Sequence, residues 1–465
     1  MKIKNIFLTL AVAVAGSACS DWFDVSPKTD IKTEDLFKDE TGFQSALTGC
    51  YGRMTKDELY GKDLTWYFIE KLVQRYDDTD GDFAGRNTNI YDYADKTKGA
   101  ITSIWNNMYQ TIGNVNNLIA YLDKNGQEVI NTPGAWELMK GEALALRAFL
   151  HFDLLRMYGP IYKEDSEKAC IPYRKEFRPE KSPLLSASKV IELVLADLEE
   201  ADKYLAQDSV NWGNNSEYPF GSFRGHRMNK YASKALQARV HLYRGSSEDL
   251  VEATRLAQEV IDSCGLKLVR DNQEDHAMFD ETLFALHMDD MEDRLETYFN
   301  SESDADEGQA LWINKDNAEA TFEANRSVGI NDIRYKGNFG FYIGGTKGRM
   351  CRKYLTGNTN AYNEKIPLIR LGEMYLIAAE ASGDVSYLNT LRNARGISSR
   401  YDVAGVTEET LNAEYRKEFF AEGQYFYFLK RHAMKDFERC PDKLKGQLSS
   451  VQYVFPLPDD EKTYN

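Results

Sequence analysis

The chain has no apolar run long enough to cross a bilayer. Its most apolar stretch, Ile6 to Ala15, is about half of the roughly 20 residues that a spanning helix needs. It has no excess of basic charge. With 73 acidic against 57 basic residues and a formal net charge of −16, its surface gains nothing by releasing counterions from a phosphate backbone, so nucleic acid is excluded as a partner. Cysteine is scarce. Cys19 stands apart near the start, and Cys50, Cys170, Cys264, Cys351 and Cys440 show no CxxC spacing; their odd number favours isolated buried thiols over a disulfide framework.

Motifs for chemistry are also missing. The six histidines contain no HExxH pair, and His151 on an alanine-rich helix reads as a packed residue. The carboxylates Glu302, Asp304, Asp306 and Glu307 lack the spaced glycine and closing glutamate of a calcium-binding loop, and are expected to be a solvated acidic loop. In Gly340–Lys347 the threonine precedes the lysine, the reverse of the order that brings a P-loop lysine to a phosphate. No Gly-x-Ser-x-Gly elbow occurs, and no pair of acids is singled out for glycosidic hydrolysis. The expectation is a protein that is not an enzyme and uses neither metal nor cofactor.

What is present begins with an export signal. Lys2 and Lys4 precede the apolar run, and Gly16, Ser17 and Ala18 lead into Cys19, the arrangement of a bacterial lipoprotein signal over residues 1–18 with Cys19 carrying the lipid. Removing it takes away Lys2 and Lys4, which leaves a net charge of −18. Such an anchor needs no transmembrane helix.

Residues 19–465 then read as one mainly α domain. Ile101, Ile104, Trp105, Met108, Ile112, Val115, Ile119 and Leu122 recur at spacings of three and four, a helical stripe with Trp105 in the core. A second helix is expected over 136–158, ended by Gly159 and Pro160, and others near 186–206, 229–244, 249–264, 368–382 and 408–432. The pair from 229 to 264 is about 35 residues long, the length of a tetratricopeptide (TPR) unit. Such pairs bury their apolar faces only by stacking on neighbours. TPR-like helices are therefore expected over about 99–265 and 366–440, with a loop-rich insertion over about 270–365.

The stretches without clean periodicity, 60–98, 160–182, 207–228 and 270–365, hold much of the aromatic content outside the helices, including Phe223, Phe322 and Tyr335. Loops this long are usually functional. A sugar ring stacks an apolar face on an aromatic side chain and bonds its hydroxyl rim to amides and charges. Phe83, Arg86, Asn87 and Tyr91 form one such cluster, and Tyr298, Phe299, Asn300 and Trp312 another.

Several blocks occur in a specific order: DWFDVSPKTDI (21–31), GEALALRAFLHFDLLRMYG (141–159), IPLIRLGEMYLIAAEA (366–381), LRNARGI (391–397), EYRKEFFAEGQYFYFLKR (414–431) and FPLPDDE (455–461). In this order they resemble the SusD/RagB family of Bacteroidetes surface lipoproteins. Gln424 and Phe428 depart from the family pattern at positions expected to be scaffold. The resemblance implies an outer-membrane, lipid-anchored lid over a SusC-like TonB-dependent transporter. It presents an oligosaccharide, or in some members a peptide, to the channel. TPR-like helices face the transporter and the insertions hold ligand. By position it carries binding roles to Phe83 with Asn87 and to Tyr298 with Trp312. A lid with little ligand affinity of its own is the remaining alternative.

Overall fold

The computed structural model describes residues 33–77, 93, 95–178, 182–214, 217, 219–271, 275–299, 311–339, 349–354, 364–435 and 452–462. Among them, eleven helices have nine or more residues: α1 (Glu40–Met54), α2 (Asp95–Tyr121), α3 (Ala135–Tyr158), α4 (Ala187–Leu205), α5 (Lys230–Arg244), α6 (Ser247–Ser263), α7 (Met291–Phe299), α8 (Leu371–Ser382), α9 (Val385–Ala394), α10 (Glu408–Glu418) and α11 (Gln424–His432). Six short strands, β1 (Ala169–Ile171), β2 (Leu185–Ser186), β3 (Thr282–His287), β4 (Trp312–Ile313), β5 (Arg349–Met350) and β6 (Lys365–Arg370), form three antiparallel pairs, β1–β2, β3–β6 and β4–β5. The helices stack in succession, α2 on α3, then α4, α5, α6, α8 and α9. That is the neighbour-on-neighbour packing of a helical solenoid, and the expected mainly α, TPR-like scaffold is the fold.

Local chemistry sets the turns. Asn229 caps α5 by accepting from the Tyr231 and Ala232 amides, Gly245 ends it at φ +75°, and Ser246 with Asp249 forms a capping box that starts α6. Two residues therefore reverse the chain. α3 is the central helix, with every side chain from Met139 to Tyr158 buried. A Cβ at Gly141 would lie 2.6 Å from Leu205 Cγ, so glycine is what lets α3 and the end of α4 approach. Charges on α3 are paired. Arg147 donates two bonds to Asp197 of α4 (2.6 and 2.8 Å), and Glu142 accepts from Arg224 and Arg227. His151 is fully buried between the Arg147 carbonyl and the Arg174 amide, and burial lowers it to about 3. Cys50, Cys170, Cys264 and Cys351 are buried free thiols. No helix among the described residues is long and apolar enough to cross a membrane.

The sequence blocks at 366–381, 391–397 and 414–431 meet in a buried ionic network. Arg370 donates to Glu281 (2.9 Å), Glu418 (2.7 Å) and Glu422 (2.8 Å), and Arg395 bridges Glu281 and Glu418 (2.6 Å each). Arg334 reaches Asp332, Glu414 and Glu418, Arg392 and Lys417 reach Glu414, and Lys353 reaches Glu422.

Three expectations are corrected. Residues 408–432 form two helices rather than one. The break at Phe419–Gly423 places Ala421 and Gly423 at positive φ, and the carbonyls of Glu418, Phe420 and Ala421 accept from Arg370, Lys353 and Tyr354. These partners are remote in sequence, so local periodicity does not reveal them. The helix expected from 368 begins at Leu371, because Lys365–Arg370 is extended and pairs with β3; a short apolar run has no period that separates strand from helix. The 270–365 insertion contains β3, α7 and the helices Lys315–Phe322 and Ile333–Phe339. Trp105 is in the core as expected, at 2% exposure. Gln424 bonds to Arg156 and Phe428 stacks on Tyr415, so both departing positions are scaffold.

Replacing Arg395 with alanine removes one of the two cations, Arg395 and Arg370, that bridge buried Glu281 and Glu418. A loss of about 3–5 kcal/mol is expected, read as a lower urea midpoint. Burial pushes Glu414 and Glu418 up, but Lys417, Arg334 and Arg392 around the first, and Arg395 and Arg370 around the second, overcome it and hold both below the ordinary 4.5. Carboxyls depressed by folding add stability above their unfolded pKa and lose it as the pH falls. The melting temperature should therefore drop below about pH 4.5, with a shallower dependence in Arg395→Ala.

Candidate functional site

Along α7, Met291, Leu295 and Phe299 are buried at a spacing of four, so Tyr298 falls at the edge of that stripe and is half-buried. Its ring meets Trp66 edge-on at 5.0 Å and Tyr67 at 5.1 Å. Trp66 is 1% exposed and also contacts Phe299 at 5.5 Å, so Trp66 and Phe299 make the floor and Tyr67 with Tyr298 the rim. Burial raises the Tyr298 hydroxyl pKa, which keeps it a neutral donor.

Backbone bonds bring Trp312 to this rim. The Leu311 amide donates to the Tyr298 carbonyl (2.7 Å), and the Asp77 amide donates to the Trp312 carbonyl (2.8 Å). Trp312 is half-buried and pairs with Met350 across β4–β5. The Asp77 carboxylate accepts from the Asn314 amide and from Asn317 Nδ2, fixing the end of one segment to the start of another. The edge is charged. Lys62 Nζ lies 4.8 Å from the Tyr67 ring centre and 5.9 Å from that of Tyr298, and pairs with Asp63 at 3.4 Å. Arg294 pairs with Asp57 and Asp290. Burial lifts Asp63 to about 6 against the opposing pull of Lys62.

Of the residues expected from sequence, Tyr298 and Trp312 are therefore brought together. Phe299 is not on the surface but in the core at 3% exposure. Cys19, Phe83, Arg86, Asn87, Tyr91, Asn300, the 302–307 carboxylates and Gly340–Lys347 lie outside the described residues. Trp66, Tyr67 and Lys62 were missed. They stand in a run of turns without periodicity, and their only sequence signal is the adjacent pair of aromatics. Half-exposed aromatic faces edged with amides and charges suit a ring with one apolar face and a polar rim.

A second concavity of about 400 Å³ opens on the outer face of α2. Its walls include Asn106, Gln110, Asn114, Arg53, Arg174 and the exposed Phe177. Neither Tyr298 nor Trp312 lines it.

Residues 201–453 match the SusD family, and residues 21–242 match the family described as starch-binding, associating with the outer membrane. A SusD-like protein of Formosa agariphila, P2, is 27% identical over 273 residues, 56% of this chain and 46% of that protein; the matched stretch is thus about half the length of this curated relative. A putative sugar-binding protein of Bacteroides vulgatus superposes with a TM-score of 0.71 at 21% identity, covering 92% of this chain and 97% of the other. A laminarin-binding SusD-like protein superposes at 0.62 and 19% identity, covering 91% and 97%. The stacked helices, the buried motif residues and the match across more than half its length together place this chain in the SusD family.

Proposed function

We propose that this protein binds oligosaccharide without cleaving it, on the aromatic ledge of Tyr67, Tyr298 and Trp312, and passes it to a SusC-like TonB-dependent transporter. The observation that carries the reading is the pair of half-buried rings Tyr67 and Tyr298 over the packed floor of Trp66 and Phe299, edged by Lys62, with half-buried Trp312 following the Leu311 amide that bonds to the Tyr298 carbonyl. Asp77, whose amide donates to the Trp312 carbonyl, precedes Phe83, Arg86, Asn87 and Tyr91 in sequence. Those four are proposed as further contacts, the aromatics for ring faces and Arg86 and Asn87 for hydroxyls. The laminarin-binding relative supports a glycan as the ligand class. Attachment to the outer membrane through a lipid on Cys19, facing the cell exterior, completes the proposal.

Calorimetric titration of protein beginning at Ser20 against a panel of oligosaccharides and a mixed peptide pool tests this. Saturable glycan binding in the micromolar to millimolar range is expected, with no cleavage products. Tyr298→Ala and Trp312→Ala should each weaken it, by roughly 1 kcal/mol per lost stacking face. Binding of peptide alone would move the ligand class to peptide, and product release would overturn the non-catalytic reading. Rim and floor should separate in stability. Trp66→Ala is expected to lose about 3–5 kcal/mol in denaturant unfolding, and half-buried Tyr298→Ala clearly less.

A further inference from the structure

We propose that His287, Asp289 and Glu364 form a surface binding site for a divalent ion of the zinc type. Glu364 is remote in sequence from His287 and Asp289, yet one imidazole nitrogen and two carboxylate oxygens lie within 4.8 Å of one another. His287 Nε2 is 2.8 Å from Asp289 Oδ1 and 3.7 Å from Glu364 Oε2. Bonds of roughly 2.0–2.2 Å around a tetrahedral zinc place neighbouring ligand atoms ~3.3–3.5 Å apart, so small side-chain rotations complete the set.

The backbone beneath is held. His287 faces Lys365 across β3–β6, and the Met288 amide donates to the Glu364 carbonyl at 2.7 Å. His287 ends β3, Asp289 stands in the turn just after it, and Glu364 immediately precedes β6. A second imidazole stands against the first: the His226 and His287 rings meet edge-on at 5.8 Å. His226 Nδ1 is buried without a hydrogen-bond partner among the described residues.

The donor set selects the ion. One nitrogen with two oxygens suits borderline divalent ions, whereas calcium takes six to eight oxygens. An ion here would join the end of β3 to the start of β6. With Asp289 almost fully exposed, it would keep coordination positions open to solvent. Sequence spacing did not suggest the site, because strand pairing supplies the third ligand.

Tag-free full-length protein, freed of metal by chelation, is titrated with zinc chloride and melted with and without zinc. One saturable site per chain and a zinc-dependent rise in melting temperature are expected. His287→Ala and Glu364→Gln should each weaken binding about 10-fold or more and abolish the rise. These side chains are partly exposed, and the metal-free melting temperature checks that the variants fold. The wild type gives an independent readout, since a 100-fold excess of calcium should not displace the zinc. Absence of one-site binding, survival of binding in both variants, or displacement by calcium would overturn the proposal.

Discussion

Six buried cations, Arg334, Lys353, Arg370, Arg392, Arg395 and Lys417, close on five buried carboxylates, Glu281, Asp332, Glu414, Glu418 and Glu422, with partly exposed Glu323 bonded to Lys417. Charges removed from water are tolerated only when paired in good geometry, so each segment that contributes one must be in place for the others. Those segments are the turn before β3, the start of the Ile333–Phe339 helix, the residues after β5, the end of β6, α9 with the residue after it, and α10 with the break that follows it. The network therefore joins the last helices of the solenoid to the inserted strand pair, and it accounts for Arg370, Arg392, Arg395, Glu414, Lys417, Glu418 and Glu422 of the sequence blocks at 366–381, 391–397 and 414–431.

The same junction holds the candidate site. Where α10 breaks from α11, the Gly423 amide donates to Glu70 (3.0 Å), and a Cβ there would lie 2.4 Å from the Leu64 carbonyl oxygen. Arg75 stacks over Tyr425 at 4.3 Å and donates to the Arg416 carbonyl. The segment carrying Trp66 and Tyr67 is thus bound to the last repeat, and the ledge rests on rigid elements. That is what weak stacking interactions require, since little ordering is left to be done on binding.

The scaffold was legible wherever structure is local. The α5–α6 pair is written as an apolar stripe, a capping asparagine, a glycine and a capping box, all within 35 residues. The strand β6 and the break before Gly423 were not legible, because both depend on partners far away in sequence: β3 for the first, Arg370, Lys353 and Tyr354 for the second. The site divides in the same way. Tyr298 and Trp312 stood out as aromatics beside amides, whereas Trp66 and Lys62 belong to it only through packing. Phe299 shows the converse, one residue from Tyr298 in sequence and on the buried side of the same helix.

The central claim is that ligand lies against the Tyr67–Tyr298–Trp312 ledge. A crystal structure of the protein with whichever oligosaccharide binds most tightly tests it most directly. The account predicts sugar rings stacked on Tyr298 or Trp312, with hydroxyls bonded to the surrounding charges and amides. Sugar in the α2 concavity with the ledge bare would contradict it.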